Sequence, residues 1–165
     1  MPQGPAAAAA WAEAAGADAD AIPTLASDHF LNGKRTCCES ILLAGCQALG
    51  VNSDLVRDIA LGLAGGVGMQ GGTCGVLTGS ALVLSLAVAK KEPERAKRVA
   101  KTMEAVGRVY QGFQKQCGHT DCRSLSGFDL TTPEGKQRLK SVRVGTCANY
   151  VRVGARLLAL ELRAL

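Results

Sequence analysis

Residues 65–89 read GGVGMQGGTCGVLTGSALVLSLAVA. The part up to Gly79 holds seven glycines and one cysteine, Cys74, directly after Thr73. From Val76 to Ala89 the chain is apolar except at Thr78, Gly79, Ser80 and Ser85. That run is too short to cross a bilayer, which takes roughly 20 apolar residues. It reads instead as a helix from Cys74 to Lys90, buried on several sides inside a protein core.

The rest of the chain agrees with a helical surrounding for it. Hydrophobic residues make up 47% of the 165, yet only 4% are aromatic, and the apolar weight is Ala, Leu, Val and Gly. Such a mixture suits closely packed helices better than a sandwich or barrel. Before the glycines, short helices are expected over 26–32, from Cys37 to Leu49, and from a Ser53 cap to Ala64 with Leu55, Val56, Ile59 and Leu63 inward. After them, Pro93 opens the longest helix, which runs to Gln116 and is closed by Gly118; its face of Arg95, Lys97, Arg98, Lys101 and Arg108 reads as solvated. Residues 119–141 are irregular with short helices, and a last helix runs from Cys147 to Leu165 with Val151, Ala155, Leu158 and Leu162 as its core stripe. The expected fold class is all-α: one compact bundle of five to six helices over 23–165, behind an Ala-rich tail over 1–22.

Seven cysteines is a high count, and an odd one argues against a fully paired secreted framework. They are not scattered. "TCCE" places Thr36 at a helix cap, Cys37 at the first helical position and Glu39 at the capping-box position. "TCGV" puts Thr73 and Cys74, and "TCAN" puts Thr146 and Cys147, in the same relation to later helices. "TDCR" sets Cys122 two residues after Thr120. The first turn of a helix offers unpaired N–H groups and a positive dipole end, which stabilise a thiolate. Thiolates are the ligands that iron–sulfur clusters and zinc require. For any single Thr-Cys pair an ordinary cap beside a small buried hydrophobe explains as much, but four occurrences favour chemistry. Cys46 reads as core, while Cys38 points elsewhere around its helix and Cys117 is a spare ligand or a disulfide partner for Cys122. His29 and His119 lie near these sulfurs in sequence, but no C-x-x-C or C-x-x-C-H occurs. A local zinc knuckle and attached haem are therefore not supported, and four thiolates must converge from distant segments.

The glycines nominally contain Gly-x-Gly-x-x-Gly at Gly66, Gly68 and Gly71, but a helix rather than a strand precedes them, so the dinucleotide context fails. No lysine lies between Arg57 and Lys90 to make a phosphate loop. The better reading gives Gly71, Gly72 and Gly75 to backbone that approaches a bulky sulfur centre, and Gly75 and Gly79 to close helix packing.

Taken together, these motifs resemble a family of redox-active proteins named for a C…GCAxxG…C…C cysteine pattern. "TCCESIL" matches its first cysteine block at Cys37, "GGTCGVLTG" its signature at Cys74, "DCRSL" its third cysteine at Cys122 and "CANYV" its fourth at Cys147. Cys38 and Val76 stand where the family has alanine. A similar helical module occurs in split-Soret cytochromes, where a [2Fe–2S] site has been inferred. The resemblance implies a small electron carrier rather than a stand-alone enzyme, with an iron–sulfur cluster held by Cys37, Cys74, Cys122 and Cys147. It favours [2Fe–2S], with [4Fe–4S] or zinc open. A metal-free thiol–disulfide protein and a structural zinc module are the alternatives.

The formal charge of +5 would suit an acidic protein partner. One Trp and no aromatic–basic interleaving argue against nucleic acid. No membrane span or secretory leader is read, a homodimer is left open, and a cytoplasmic address follows by default.

Overall fold

The computed structural model describes residues 18–51 and 54–165. Its helices are α1 (Ile22–Leu31), α2 (Cys37–Ala48), α3 (Asp54–Ile59), α4 (Gly75–Lys91), α5 (Arg95–Cys117), α6 (Cys122–Ser126), α7 (Pro133–Val142) and α8 (Ala148–Ala164). The fold class is all-α. Among the described residues the sole extended pairing is an antiparallel bridge between Thr73 and Asp121.

The apolar helix forms where its sequence requires, and α4 is the hub, touching α2, α5 and α8, while α1 closes the far side against α2 and α8. Two glycines let the helices approach it. A Cβ at Gly45 of α2 would overlap the Val83 side chain, and one at Gly154 of α8 would overlap Val76. Val76 therefore fills space that Gly154 leaves. Val76, Val83, Leu84, Phe113, Val151 and Leu158 are almost completely buried around this crossing. Each such side chain contributes about 1.5–3 kcal/mol relative to exposure.

The charged face of α5 is solvated as expected, with Lys97 paired to Glu94, Lys101 to Glu92 and Arg108 to Glu161. Gly118 closes this helix at φ 82°. Three expectations need correction. The chain joins the fold earlier than residue 23: Ala19–Ala21 form a 3-10 turn, and Ala19 and Ile22 are buried in the core. Residues 1–17 of the expected tail, and the Ser53 cap, lie outside the described residues. The third helix ends at Ile59, and a 3-10 turn over Leu61–Leu63 follows. Leu55 and Ile59 are exposed, and only Val56 and Leu63 of its expected stripe reach the core. A helix this short meets neighbours on one side only. None of the described helices is long and apolar enough to cross a membrane.

Candidate functional site

Each cysteine of the expected set is delivered by a different piece of local chemistry. Thr36 caps α2 as read: its hydroxyl accepts from the Glu39 amide at 3.3 Å, and the Glu39 carboxylate accepts from the Thr36 amide at 2.9 Å. That capping box fixes Cys37 at the first helical position. Its sulfur rests directly over Gly75, where a Cβ would sit 2.5 Å from Sγ.

Cys74 and Cys122 are placed together. The Cys74 amide donates to the Thr120 carbonyl at 2.8 Å, and the Cys122 and Arg123 amides donate to the carbonyls of Gly72 and Gly71 at 2.7 and 3.0 Å. Cys74 is thus itself the cap residue of α4; Thr73 lies one residue earlier, in the bridge to Asp121. At α6 the capping side chain is Asp121, which accepts from the Ser124 amide, and Thr120 is not the cap. The expected role of Thr73 and Thr120 as caps is corrected because long-range pairing of 72–74 with 120–122 takes over both starts.

Cys147 departs furthest from expectation. It does not begin a helix: α7 continues through a π-helical turn, Arg143–Cys147, directly into α8. Thr146 therefore has no orphan amides to cap. What sets this turn is Arg143, whose guanidinium donates to the carbonyls of Phe30 at 2.5 Å and Arg35 at 2.9 Å and stacks 4.0 Å over the Phe30 ring. The turn is thereby tied to the α1–α2 junction, from which Cys37 projects.

The result is a cavity of about 20 Å³ lined by Cys37, Cys74, Cys122 and Cys147 with Val76, Leu125, Ser126 and Tyr150. That is room for about one water-sized body. The other polar atoms in the wall are committed, since the Ser126 hydroxyl donates to Arg123 O and the Tyr150 hydroxyl to Leu125 O. All seven cysteines are free thiols. Among the described residues no group of three or more His, Cys, Asp or Glu side chains already stands in an arrangement that would hold a metal ion.

The four thiols differ electrostatically. A hydrogen bond from Cys74 holds the Cys37 thiol below its ordinary value against the effect of burial, and the amides of Cys38, Cys37 and Gly75 help. The same bond, with burial and the neighbouring Cys37 charge, pushes Cys74 well up. Burial and the charge of Cys37 push Cys122 to about 12 and Cys147 to about 11, the latter opposed by Arg143. The set is therefore one anion-prone sulfur facing three reluctant ones.

Of the glycines expected to reach the sulfurs, Gly75 does so through its amide. The amides of Gly71 and Gly72 donate to Gly65 and Gly66 inside the loop, and their carbonyls hold the start of α6. The loop achieves this with five successive left-handed residues, Gly65 to Met69, a conformation that only glycine adopts freely.

The remaining cysteines stand apart from the cavity. Cys38 is buried on α2 and accepts from the Thr78 hydroxyl at 3.5 Å; Cys46 lies in the core. Cys117 is half-buried at the end of α5 and is not bonded to Cys122. His29 pairs with Gln47, and His119 is exposed. Sequence reading missed Tyr150 and Arg143, although their spacings of three and four residues from Cys147 place them on one helical face with it.

Residues 35–160 match the family described as "Putative redox-active protein (C_GCAxxG_C_C)". The chain is 29% identical over 125 residues to an uncharacterised protein of Archaeoglobus fulgidus, a match covering 70% of this chain and 82% of the relative. No solved structure matches. The chain belongs to this redox-active family.

Proposed function

We propose that this member of the C…GCAxxG…C…C family is a small electron carrier of the cytoplasm. Cys37, Cys74, Cys122 and Cys147 would hold its iron–sulfur cluster, of the [2Fe–2S] type, and it would exchange single electrons with a protein redox partner. The observation that carries the reading is convergence: four thiols from four distant segments share one otherwise apolar cavity. A dithiol needs two sulfurs, and a hydrophobic core needs none.

The donor chemistry, four sulfurs, suits a cationic iron centre, and the walls of the small cavity would have to part to admit it. Burial, with the hydrogen bond to Cys37 at Cys74 and repulsion by the Cys37 charge, is why three of the four hold their protons. A bound cation removes that repulsion and ionises its thiols. A cluster supplies reversible one-electron chemistry. The chain's own contribution is to hold the sulfurs, to aim the Gly75 and Cys38 amides at Cys37, and to exclude water with Val76, Leu125 and the Tyr150 ring. Amide donors and exclusion of water are the means by which a protein sets such a potential.

Anaerobic reconstitution with iron and sulfide tests the reading. It should give a brown protein with equal iron and acid-labile sulfide and an EPR signal on reduction. A colourless, iron-free product would sink it, and zinc uptake without iron would point to a structural site.

The hydrogen bond between Cys37 and Cys74 favours one second reading, a metal-free pair. There Cys37 as thiolate would attack a partner's disulfide, expelling one partner thiol and forming a mixed disulfide. Cys74 would then displace the other partner thiol, closing Cys37–Cys74 and leaving the partner as a reduced dithiol. Loss of two titratable thiols on mild oxidation, reversed by reductant, would mark that chemistry.

A further inference from the structure

We propose that Val144 and the cations around it (Lys34, Arg35, Lys136, Lys140 and Arg143) form the docking face for an acidic redox protein. The cavity is closed on one side and thinner on the other. Cys74 and Cys122 are buried, whereas Cys37 and Cys147 are half-buried. The surface nearest the sulfurs is therefore the one made by the chain just before Cys37 and just before Cys147.

Those two segments are far apart in sequence and are joined by Arg143, which bonds to the Phe30 and Arg35 carbonyls. Lys34 and Arg35 are thus set beside the π-helical turn. Lys136, Lys140 and Arg143 follow at spacings of four and three, which puts them on one helical face. Lys34, Lys136 and Lys140 are exposed, and among the described residues none of the three makes an ion pair. Glu39 is taken up by Arg35 and Glu134 by Arg138, so neither carboxylate neutralises the three lysines. On α5, by contrast, Lys97, Lys101 and Arg108 each have a carboxylate.

On the same helical run, four residues after Lys140 and three before Cys147, stands Val144, 71% exposed in the π-helical turn. An apolar tip on a face that carries unpaired lysines suits a transient partner, because opposite charge steers the encounter and a small apolar contact seats it. The partner's chemistry follows: a protein whose own redox group is surrounded by carboxylates.

This face deepens the redox reading but can be tested without it. The probe is flavodoxin, an acidic redox protein, titrated calorimetrically into the full metal-free chain at low and high salt. Binding should be measurable at low ionic strength and fade as salt rises. The double substitution Lys136→Glu, Lys140→Glu should weaken it roughly tenfold or more. The control Lys97→Glu, Lys101→Glu on α5 should change it little. On the iron-loaded chain, electron exchange with flavodoxin should slow in the same order. Affinity indifferent to the Lys136 and Lys140 reversal, equal loss in the control, or tighter binding of an RNA oligonucleotide lost through the same lysines would each overturn the proposal. A chain that takes up no iron on reconstitution yet binds flavodoxin through these lysines would remove the cluster and leave the docking face. An iron-loaded chain whose affinity ignores them would do the reverse.

Discussion

Gly75→Ala probes the contact on which the site is built. A Cβ there would lie 2.5 Å from Cys37 Sγ, 3.0 Å from the Cys38 amide nitrogen and 3.2 Å from Cys38 Cβ. Heavy atoms at ease sit about 3.5–4.0 Å apart, so either the sulfur swings away or α4 separates from α2. All three obstacles belong to the first turn of α2, and the two on Cys38 are held by the backbone that the capping box fixes. Overpacking of this kind costs about 1–3 kcal/mol, while alanine's better helix propensity returns at most about 1 kcal/mol. The expected net effect is a loss of about 1–2 kcal/mol. Gly107→Ala supplies the opposite case. It lies mid-helix in α5 with nothing within 4 Å of the added atom, so the same substitution should stabilise by about 0.5–1 kcal/mol. Urea unfolding of the reduced, metal-free chain would separate the two variants, with midpoints moving in opposite directions at an unchanged slope. In thermal melts the shifts should be about 2–4 °C per kcal/mol for a chain of this size. A Gly75→Ala midpoint at or above that of the parent chain would refute the claim that Cys37 is seated on that glycine.

Other consequences are equally direct. Arg143→Met keeps bulk over Phe30 but leaves the Phe30 and Arg35 carbonyls without their charged donor. A loss of about 2–4 kcal/mol is expected, with faster labelling of Cys147 by a disulfide reagent as the π-helical turn loosens. Cys46 is buried, and burial pushes its thiol to about 11 from an ordinary 9.0. A thiol raised on folding contributes its stability below pH 9 and loses it as pH rises towards 11. Between these values the unfolded chain ionises while the folded one does not, which removes about 3 kcal/mol by the upper end. Urea midpoints measured across this range should fall, and Cys46→Ala, though less stable at pH 7, should fall less steeply. A parallel decline in both chains would contradict it.

Much of the site was legible from local rules. Thr36, Cys37 and Glu39 form the capping box that their order spells out, and Gly75 and Gly79 stand where α2 crosses α4, with a Cβ on Gly79 only 2.8 Å from the Cys38 carbonyl oxygen. The long, periodic helices emerged within a residue or two, because their apolar stripes are decided by burial. What was hidden is nonlocal. The pairing of 72–74 with 120–122 links segments nearly fifty residues apart and overrides two apparent threonine caps. The continuity of α7 into α8 depends on Arg143 finding carbonyls more than a hundred residues away. Thr146-Cys147 therefore resembles a helix start in sequence but lies inside a helical run in space. The short helix α3 failed as a core element since its stripe outnumbers the neighbours available to cover it.

The central claim is that Cys37, Cys74, Cys122 and Cys147 act as one set of ligands. Its most direct test is iron content after anaerobic reconstitution of seven single Cys→Ala variants, checked for folding by circular dichroism. Substituting any of those four should abolish or sharply reduce bound iron, while Cys38→Ala, Cys46→Ala and Cys117→Ala should retain it. Full iron in a variant lacking one of the four, or loss of iron only on removing Cys38 or Cys117, would contradict the assignment.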